Sequence, residues 1–441
     1  MTKILECTNR FVWGMPALVL ILGVGIFLSV RSGFPQFTLL KDACRQFFSA
    51  IRGKQGSFRA LCTALAATVG TGNLVGVAGA ICIGGPGSIF WMWICGILGM
   101  ATKFAEATLA VHYRVKSPNG YLGGPMYMIL HGMGEKFHWL AGLYCILGLA
   151  AAFGVGNATQ INAVVSGVNG LIQKDISLPL GIGLALLVGA MLFGGAKRIG
   201  RTAELLVPFV SVAYILLCAG VLIIHNREIP RAVLAVFQGA FQPAAVTGGM
   251  IGSCFSCLRV GCSRGVFTNE AGMGTASIAH GAADVEHPVQ QGLKGIMEVF
   301  LDTIVICTLT ALVILCSGVP IPYGKDVGGL LTAQAFSSVY GPWSEVFLTF
   351  SLCCFAFATV LGWGLYGGRC AEFLFGSRGW YWFSVAQTLM VLVGAMVDTA
   401  QVWLLSETLN GLMAVPNLIT LAVLSPNLHR LTIDYKKSGR K

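Results

Sequence analysis

Gly70, Thr71, Gly72 and Asn73 sit in the middle of the run ATVGTGNLVGVAGAICIGGPG (67–87), whose other residues are almost all apolar. Glycine is the poorest helix former after proline, so the cluster invites the chain to open there. An opened helix frees carbonyls at the end of one half and N–H groups at the start of the next. The carbonyls attract a cation and the N–H groups an anion, which suits a zwitterion travelling with a cation. The halves 59–69 and 73–83 are each about eleven residues, or ~16 Å of helix. Their joint therefore falls near the middle of a ~30 Å hydrocarbon layer. Non-helical backbone at that depth persists only where it is buried or lines a cavity. Close packing is the other use of such glycines, and Gly72 and Gly76 form a small-xxx-small pair.

Other residue types that carry chemistry give weaker patterns. Cys254-x-x-Cys257 with Cys262 has metal or redox spacing but lacks a second pair or a nearby histidine. Most remaining cysteines fall in apolar runs, where a thiol acts as a small hydrophobe. The seven histidines are scattered and form no HExxH pair. Ionisable residues inside apolar runs default to functional hypotheses. Lys103 and Glu106, at i and i+3, are expected to pair on one helix face. Glu298 and Asp302, at i and i+4, are candidates for a gate or proton role. The stretch 267–287, with Asn269 and Glu270, is expected to be a loop with a short interfacial helix.

The elements that position these residues follow from composition. The 441 residues are 55% hydrophobic and 11% charged, against about 25% charged in a soluble domain. Mean hydropathy is +0.76. The bilayer is therefore the main solvent, and the backbone must close its own hydrogen bonds as helices or a barrel. The apolar runs are long and do not alternate, which selects helices. Eleven spans are expected: 13–30, 59–83, 87–112, 139–169, 178–195, 204–224, 235–265, 289–318, 343–373, 380–398 and 402–425. The fold class is an all-α polytopic membrane protein. No cleavable signal peptide is evident, since the first apolar run is long enough to span.

The net charge of +11 reads as topology. With the N-terminus outside, Lys3, Arg10, Lys174, Arg227, Arg231 and Lys325 are external. Nearly all other lysines and arginines, Arg259, Arg264 and the basic tail 426–441 included, fall on the cytoplasmic side. Nucleic acid is not an expected partner, since no basic face interleaved with aromatics is present. The partner is the lipid bilayer.

Five helices after span 59–83 comes span 235–265, also interrupted, by Pro243, Gly248, Gly249 and Gly252. Two interrupted helices opening two sets of five form the pattern of an inverted-repeat transporter. Five is odd, so the second set lies upside down. The expected layout is one transporter domain over 1–441: an extra helix 13–30, a first repeat 59–224 and an inverted repeat 235–425.

TALAATVGTGNLVGVAGAICIGGPGSIFWMW (63–93) and RGVFTNEAGMGTASIAH (264–280) resemble the alanine or glycine:cation symporter family, and so do KFAEATLAVHYR (103–114), GGPMYMI (123–129), EVFLDTIVICTLTALVIL (298–315) and VLGWGLYG (360–367). The resemblance runs nearly end to end. It implies a leucine-transporter-like fold of the amino acid/polyamine/cation superfamily and sodium-coupled import of small neutral amino acids across a cytoplasmic (inner) membrane. It implies no enzyme activity and no cofactor beyond sodium as coupling ion.

By the same resemblance the substrate carboxylate would sit on the N–H groups of Gly70, Gly72 and Asn73. Its ammonium would meet carbonyls near Thr68 and the break at Gly249 and Met250, with the Thr359 hydroxyl close by. Gln160 would face the cavity or bond a neighbouring helix. Trp363 and Met250 would limit the pocket to small side chains. Sodium would be held by the carbonyls of Ala66 and Val69 with the Thr359 hydroxyl. Two departures stand out: Ala358–Thr359 replaces the two adjacent hydroxyl residues common in the family, and Met250 stands where an aromatic is expected. A different solute, or proton coupling, is the alternative.

Overall fold

The computed structural model describes residues 8–9, 12–52, 55–118, 120–397 and 399–438. Lys3, Arg10 and the last three residues of the basic tail lie outside them. Among the described residues the chain is helical apart from one hairpin, Val115–Ser117 paired with Gly120–Leu122.

Helix α1 (Met15–Arg31) precedes a strongly amphipathic helix, α2 (Leu40–Arg52). Helix α3 (Gln55–Thr68) then stops, and a π-helical turn (Gly72–Gly76) leads into α4 (Val77–Gly84). Helix α5 (Ser88–His112) follows, then α6 (His138–Phe153) and α7 (Thr159–Ile172), joined by a second π-turn (Gly154–Ala158). Helices α8 (Ser177–Leu192) and α9 (Gly195–Ile224) complete the first half. The second half holds α10 (Ile229–Phe241), α11 (Cys254–Asn269), α12 (Thr275–Gly281), and α13 (Pro288–Val299) continued by a π-turn (Phe300–Cys307) into α14 (Thr308–Cys316). It ends with α15 (Gly329–Tyr340), α16 (Trp343–Phe375), α17 (Ser377–Met396), α18 (Thr399–Val423) and α19 (Ser425–Ser438).

Among the described residues, five continuous helical stretches are long and apolar enough to cross a membrane, or up to seven spans if each bent pair counts as one, while α1 and α8 are apolar but shorter. Their outward faces are apolar: on α9, Leu205 is 79% exposed and Phe209 66%. That surface is compatible with lipid rather than water.

At the centre, α5 packs against α11 and α13 through glycines. A Cβ added at Gly261 would lie 2.2 Å from the Ser88 carbonyl oxygen, and one at Gly292 would lie 2.1 Å from Thr108 Oγ1. Both are below any tolerated contact, so small residues set these helix separations.

One expected span is corrected. The run 235–265 is two elements, with α10 ending at Phe241 and α11 beginning at Cys254, capped by Ser253. Between them lies an outward-facing connection. Gly248 and Gly249 adopt φ of 62° and 85°, and Met250 is 65% exposed. The buried interruption comes later, between α11 and α12. Glu270, Gly272 and Gly274 there take φ of 53°, 96° and 79°, and every residue from 265 to 281 is buried. Of the stretch 267–287, expected to be a loop with a short interfacial helix, residues 267–281 are instead the end of α11, an internal break and the short helix α12, and only 282–287 form a partly exposed loop. The polar groups of the break are tolerated because they find hydrogen-bond partners, many of them on other helices: Thr303 for Asn269, Trp363 for Glu270 and Glu106 for the Gly272 and Gly274 N–H groups. Arg264 of α11 pairs with Asp326, the neighbour of Lys325, and with Glu407 of α18, so Arg264 and Lys325, expected on opposite sides, lie close to one another.

Candidate functional site

The first helix break is local. Phe58–Thr68 and Gly72–Gly84 meet at 46°, with Val69 and Gly70 outside helical geometry. The opening is narrower than the expected 70–73, because Thr71 already begins the π-turn. Gly70 lies outside the left-handed region; glycine is needed there for room. A Cβ at Gly70 would lie 2.6 Å from Thr359 Oγ1, and one at Gly72 would lie 3.0 Å from Thr268 Oγ1.

The two breaks face each other across a cavity. Thr68, Gly70, Thr71 and Gly72 contribute from the first break, and Phe267 and Glu270 from the second; Gln160, Thr359 and Trp363 close the sides. Its volume is ≈ 10 Å³, room for about one water, so its walls must part to admit any solute the size of an amino acid.

Each wall residue is held. Thr71 Oγ1 donates to Gln160 Oε1 at 3.1 Å, while Gln160 Nε2 donates to the Val155 carbonyl at 3.1 Å. The α6–α7 π-turn thus turns the Gln160 amide inward. Thr359 Oγ1 lies 3.1 Å from the Ala66 carbonyl and 3.0 Å from that of Phe355. Thr68 Oγ1 donates back to the Ala64 carbonyl at 3.3 Å. Trp363, one turn after Thr359, packs where Gly156 leaves space, since a Cβ at 156 would lie 2.3 Å from its own. Its indole N–H donates to Glu270 Oε1 at 2.8 Å, and Thr275 Oγ1 donates to Glu270 Oε2 at 2.6 Å.

Of the residues expected at the site, the structure gathers Thr68, Gly70, Gly72, Gln160, Thr359 and Trp363 around this cavity, with Ala66 touching Thr359 and Val69 buried at the joint. Gly249 and Met250 do not belong to it: they sit on the exposed connection before α11. The reason is that the buried break lies between α11 and α12, and it is Phe267 and Glu270 that line the cavity from the second half. Asn73 is buried behind the wall. Its Oδ1 accepts the Gly70 N–H at 2.8 Å, its backbone N–H points to the Gly70 carbonyl at 3.3 Å, and its Nδ2 reaches Asp302 Oδ1 at 2.8 Å.

The buried charges also find different partners. Lys103 pairs with Glu298 at 3.3 Å rather than with Glu106. Glu298 also lies 2.7 Å from His280 Nε2, and Gln291 sits 2.6 Å from His280 Nδ1. Glu106 Oε1 accepts the N–H groups of Gly272 and Gly274, each at 3.0 Å, and Asn417 Nδ2 at 2.7 Å. This carboxylate satisfies the backbone that the second break exposes ahead of α12, where anionic oxygen is favoured. The thiols of Cys254, Cys257 and Cys262 point to three separate carbonyls, those of Phe241, Gly239 and Trp91.

A family profile described as the "Sodium:alanine symporter family" matches residues 1–441. The chain is 42% identical over 436 residues to the sodium/alanine symporter AgcS of Methanococcus maripaludis, covering 96% of this chain and 94% of that one. It is 41% identical over 445 residues to an uncharacterized transporter of Haemophilus influenzae, covering 98% and 96%. Among solved structures it is similar to MhsT in complex with L-phenylalanine, with a TM-score of 0.59 at 12% identity over 85% of this chain and 95% of that chain. This last likeness concerns the fold alone.

Proposed function

We propose how the cavity works from one premise: this chain belongs to the sodium:alanine symporter family. It is a multi-pass membrane transporter, a sodium-coupled symporter by family, and not an enzyme. The substrate is a small neutral amino acid, alanine or glycine, imported into the cytoplasm across the inner membrane. The name of the Methanococcus relative supports alanine.

The observation that carries the reading is the meeting of two broken helices around a cavity with a buried carboxylate, Glu270, in its wall. The amino acid's carboxylate takes the N–H groups of Gly70 and Gly72, displacing Asn73 Oδ1 from the first. Its ammonium meets Glu270 and the carbonyl end of α3 near Thr68. Gln160 and the Thr71 hydroxyl share the polar rim. Sodium sits between the carbonyls of Ala66 and Val69 and the Thr359 hydroxyl. In this chain Ala358 offers no second hydroxyl, so Thr359 carries that contact alone.

The helices divide into two sets of five. The first is α3/α4, α5, α6/α7, α8 and α9; the second is α11/α12, α13/α14, α16, α17 and α18. The second thus begins at Cys254 rather than at 235. The N-terminus lies outside and the C-terminal tail in the cytoplasm, as the basic residues of the sequence suggest. Rocking a bundle that includes both broken helices against the remaining scaffold gives alternating access.

Purified protein in vesicles tests this directly. Uptake of alanine and glycine should follow an inward sodium gradient, with leucine competing poorly. Uptake driven by a pH gradient without sodium would favour the proton-coupled reading. Glu270→Gln removes the charge opposite the ammonium but keeps an acceptor for the Trp363 indole. It should raise the alanine concentration for half-maximal uptake about thirtyfold or more, equivalent to ~2 kcal/mol; an unchanged value removes Glu270 from the site. Thr359→Ala should raise the half-saturating sodium concentration about tenfold, ~1.4 kcal/mol, and an unchanged sodium curve removes Thr359 as an ion ligand.

A further inference from the structure

A chain of side chains runs between the two helix breaks without entering the cavity. At the first break the Gly70 N–H donates to Asn73 Oδ1 at 2.8 Å. The same amide's Nδ2 donates to Asp302 Oδ1 at 2.8 Å and approaches the Asp302 carbonyl at 3.2 Å. Thr303 Oγ1 donates to Asp302 Oδ2 at 2.9 Å, and Asn269 Nδ2 donates to Thr303 Oγ1 at 3.1 Å. Asn269 Oδ1 accepts the N–H of Ala271 at 2.9 Å, inside the second break and next to Glu270. All of these residues are buried.

The middle of the chain stands on the Phe300–Cys307 π-turn. Such a turn inserts a residue into the helix and re-aims side chains, and is often found at functional positions. Here it lets consecutive residues, Asp302 and Thr303, face different partners: Asp302 reaches toward the first break and Thr303 toward the second. The helix also lies close to α5, where a Cβ at Gly96 would be 3.0 Å from Thr303 Cγ2. The pair therefore has little freedom to shift unless its partners shift with it.

We infer that Asp302 is a positioning residue joining the two breaks, so that a change at Gly70 is felt at Glu270. This rests on the substrate placement proposed above. A carboxylate arriving at the Gly70 N–H releases Asn73 Oδ1. The freed amide turns on its remaining contacts to Asp302 and to Cys307 Sγ, 3.3 Å away, and the Thr303–Asn269 link passes the adjustment to the Ala271 backbone. The backbone on either side of the cavity is thereby adjusted together, and sodium at the carbonyl end of α3 gains a route to the ammonium end of the pocket. Linkage requires the effect to be reciprocal.

The test measures alanine binding to purified protein with and without sodium, giving the factor by which sodium tightens alanine. In Asp302→Ala that factor should fall about tenfold, within the usual span of such couplings, while alanine still binds at saturating sodium. Thr303→Val cuts the next link with little change of shape and should give the same loss. Asp302→Asn keeps an acceptor for Asn73 and a polar group toward Thr303, and should keep the factor within about twofold of the parent. A parental factor in both Asp302→Ala and Thr303→Val overturns the inference, as does a loss in Asp302→Asn as deep as in Asp302→Ala. Failure of the unsubstituted protein to bind alanine at all would instead overturn the substrate placement.

Discussion

Gly70→Val leaves no measurable sodium-driven alanine uptake in vesicles, while the purified protein remains monodisperse. The first atom added already decides this. A Cβ at position 70 would lie 2.6 Å from Thr359 Oγ1, 3.8 Å from Thr359 Cβ and 3.9 Å from Gln160 Oε1. The hydroxyl must turn away, and it then loses the Ala66 carbonyl at 3.1 Å. Helix α16 lies against α3 here with no slack, since a Cβ at Gly362, one turn on, would lie 2.9 Å from Ala67 Cβ. The branched side chain of valine adds two methyl groups to a space of ≈ 10 Å³ and has few rotamers with which to avoid them. The proposed sodium ligand and the approach to the Gly70 N–H are lost together. Gly76→Ala is the control in the adjoining π-turn: nothing lies within 4 Å of its added Cβ, so uptake should stay near that of the parent. Normal uptake in Gly70→Val at normal expression removes the cavity from the transport path.

Lys103→Met should be the most destabilising of the single changes considered. Lys103 and Glu298 are buried together, with side chains 0% and 1% exposed and 3.3 Å between the charged atoms. Removing one member of such a pair strands the other charge in a medium that cannot solvate it, at a cost of about 3–5 kcal/mol. The hydrogen bond between His280 and Glu298, 2.7 Å long, offsets part of this cost. Glycine also shapes the contact: a Cβ at Gly295 would lie 3.1 Å from Lys103 Cγ, so α13 runs against the lysine stem and water has no easy access. The thermal midpoint in detergent should drop by several degrees. Adding Glu298→Gln, which removes the stranded charge and keeps a polar group toward His280, should recover at least half of the loss. No drop in Lys103→Met would mean that the pair contributes nothing to the folded state.

The two breaks were unequally legible in the sequence. The first announced itself because Gly70, Thr71, Gly72 and Asn73 stand out in an apolar run. The second did not. Arg264, Thr268, Asn269 and Glu270 together look like a solvated loop, and burial becomes tolerable only through partners that no spacing rule supplies: Thr303 for Asn269, Trp363 and Thr275 for Glu270, Glu106 for the Gly272 and Gly274 backbone. The stretch 243–252 erred the other way, since PAAVTGGMIG is apolar enough to pass for membrane interior. The i, i+3 spacing of Lys103 and Glu106 suggested a pair on one helix, but the close approach of α13 offered Lys103 a carboxylate across the helix contact. Gln160 and Trp363 are expected from the family resemblance rather than from any spacing rule. Their orientation depends on the Gly154–Ala158 π-turn, whose backbone supplies the Val155 carbonyl and the room at Gly156.

The glycine contacts that bring α5, α11 and α13 together restrict how the protein can move. With the Ser88 carbonyl 2.2 Å from a Cβ at Gly261 and Thr108 Oγ1 2.1 Å from one at Gly292, these helices meet almost main chain to main chain. Surfaces that close do not slide without lifting apart, and lifting apart would expose the pairs at Lys103 and Glu106. The three helices should therefore travel as one block. Spin labels on the ends of α5 and α13 should report the same separation whichever side of the membrane the protein faces, leaving the changing distances to helices outside that block.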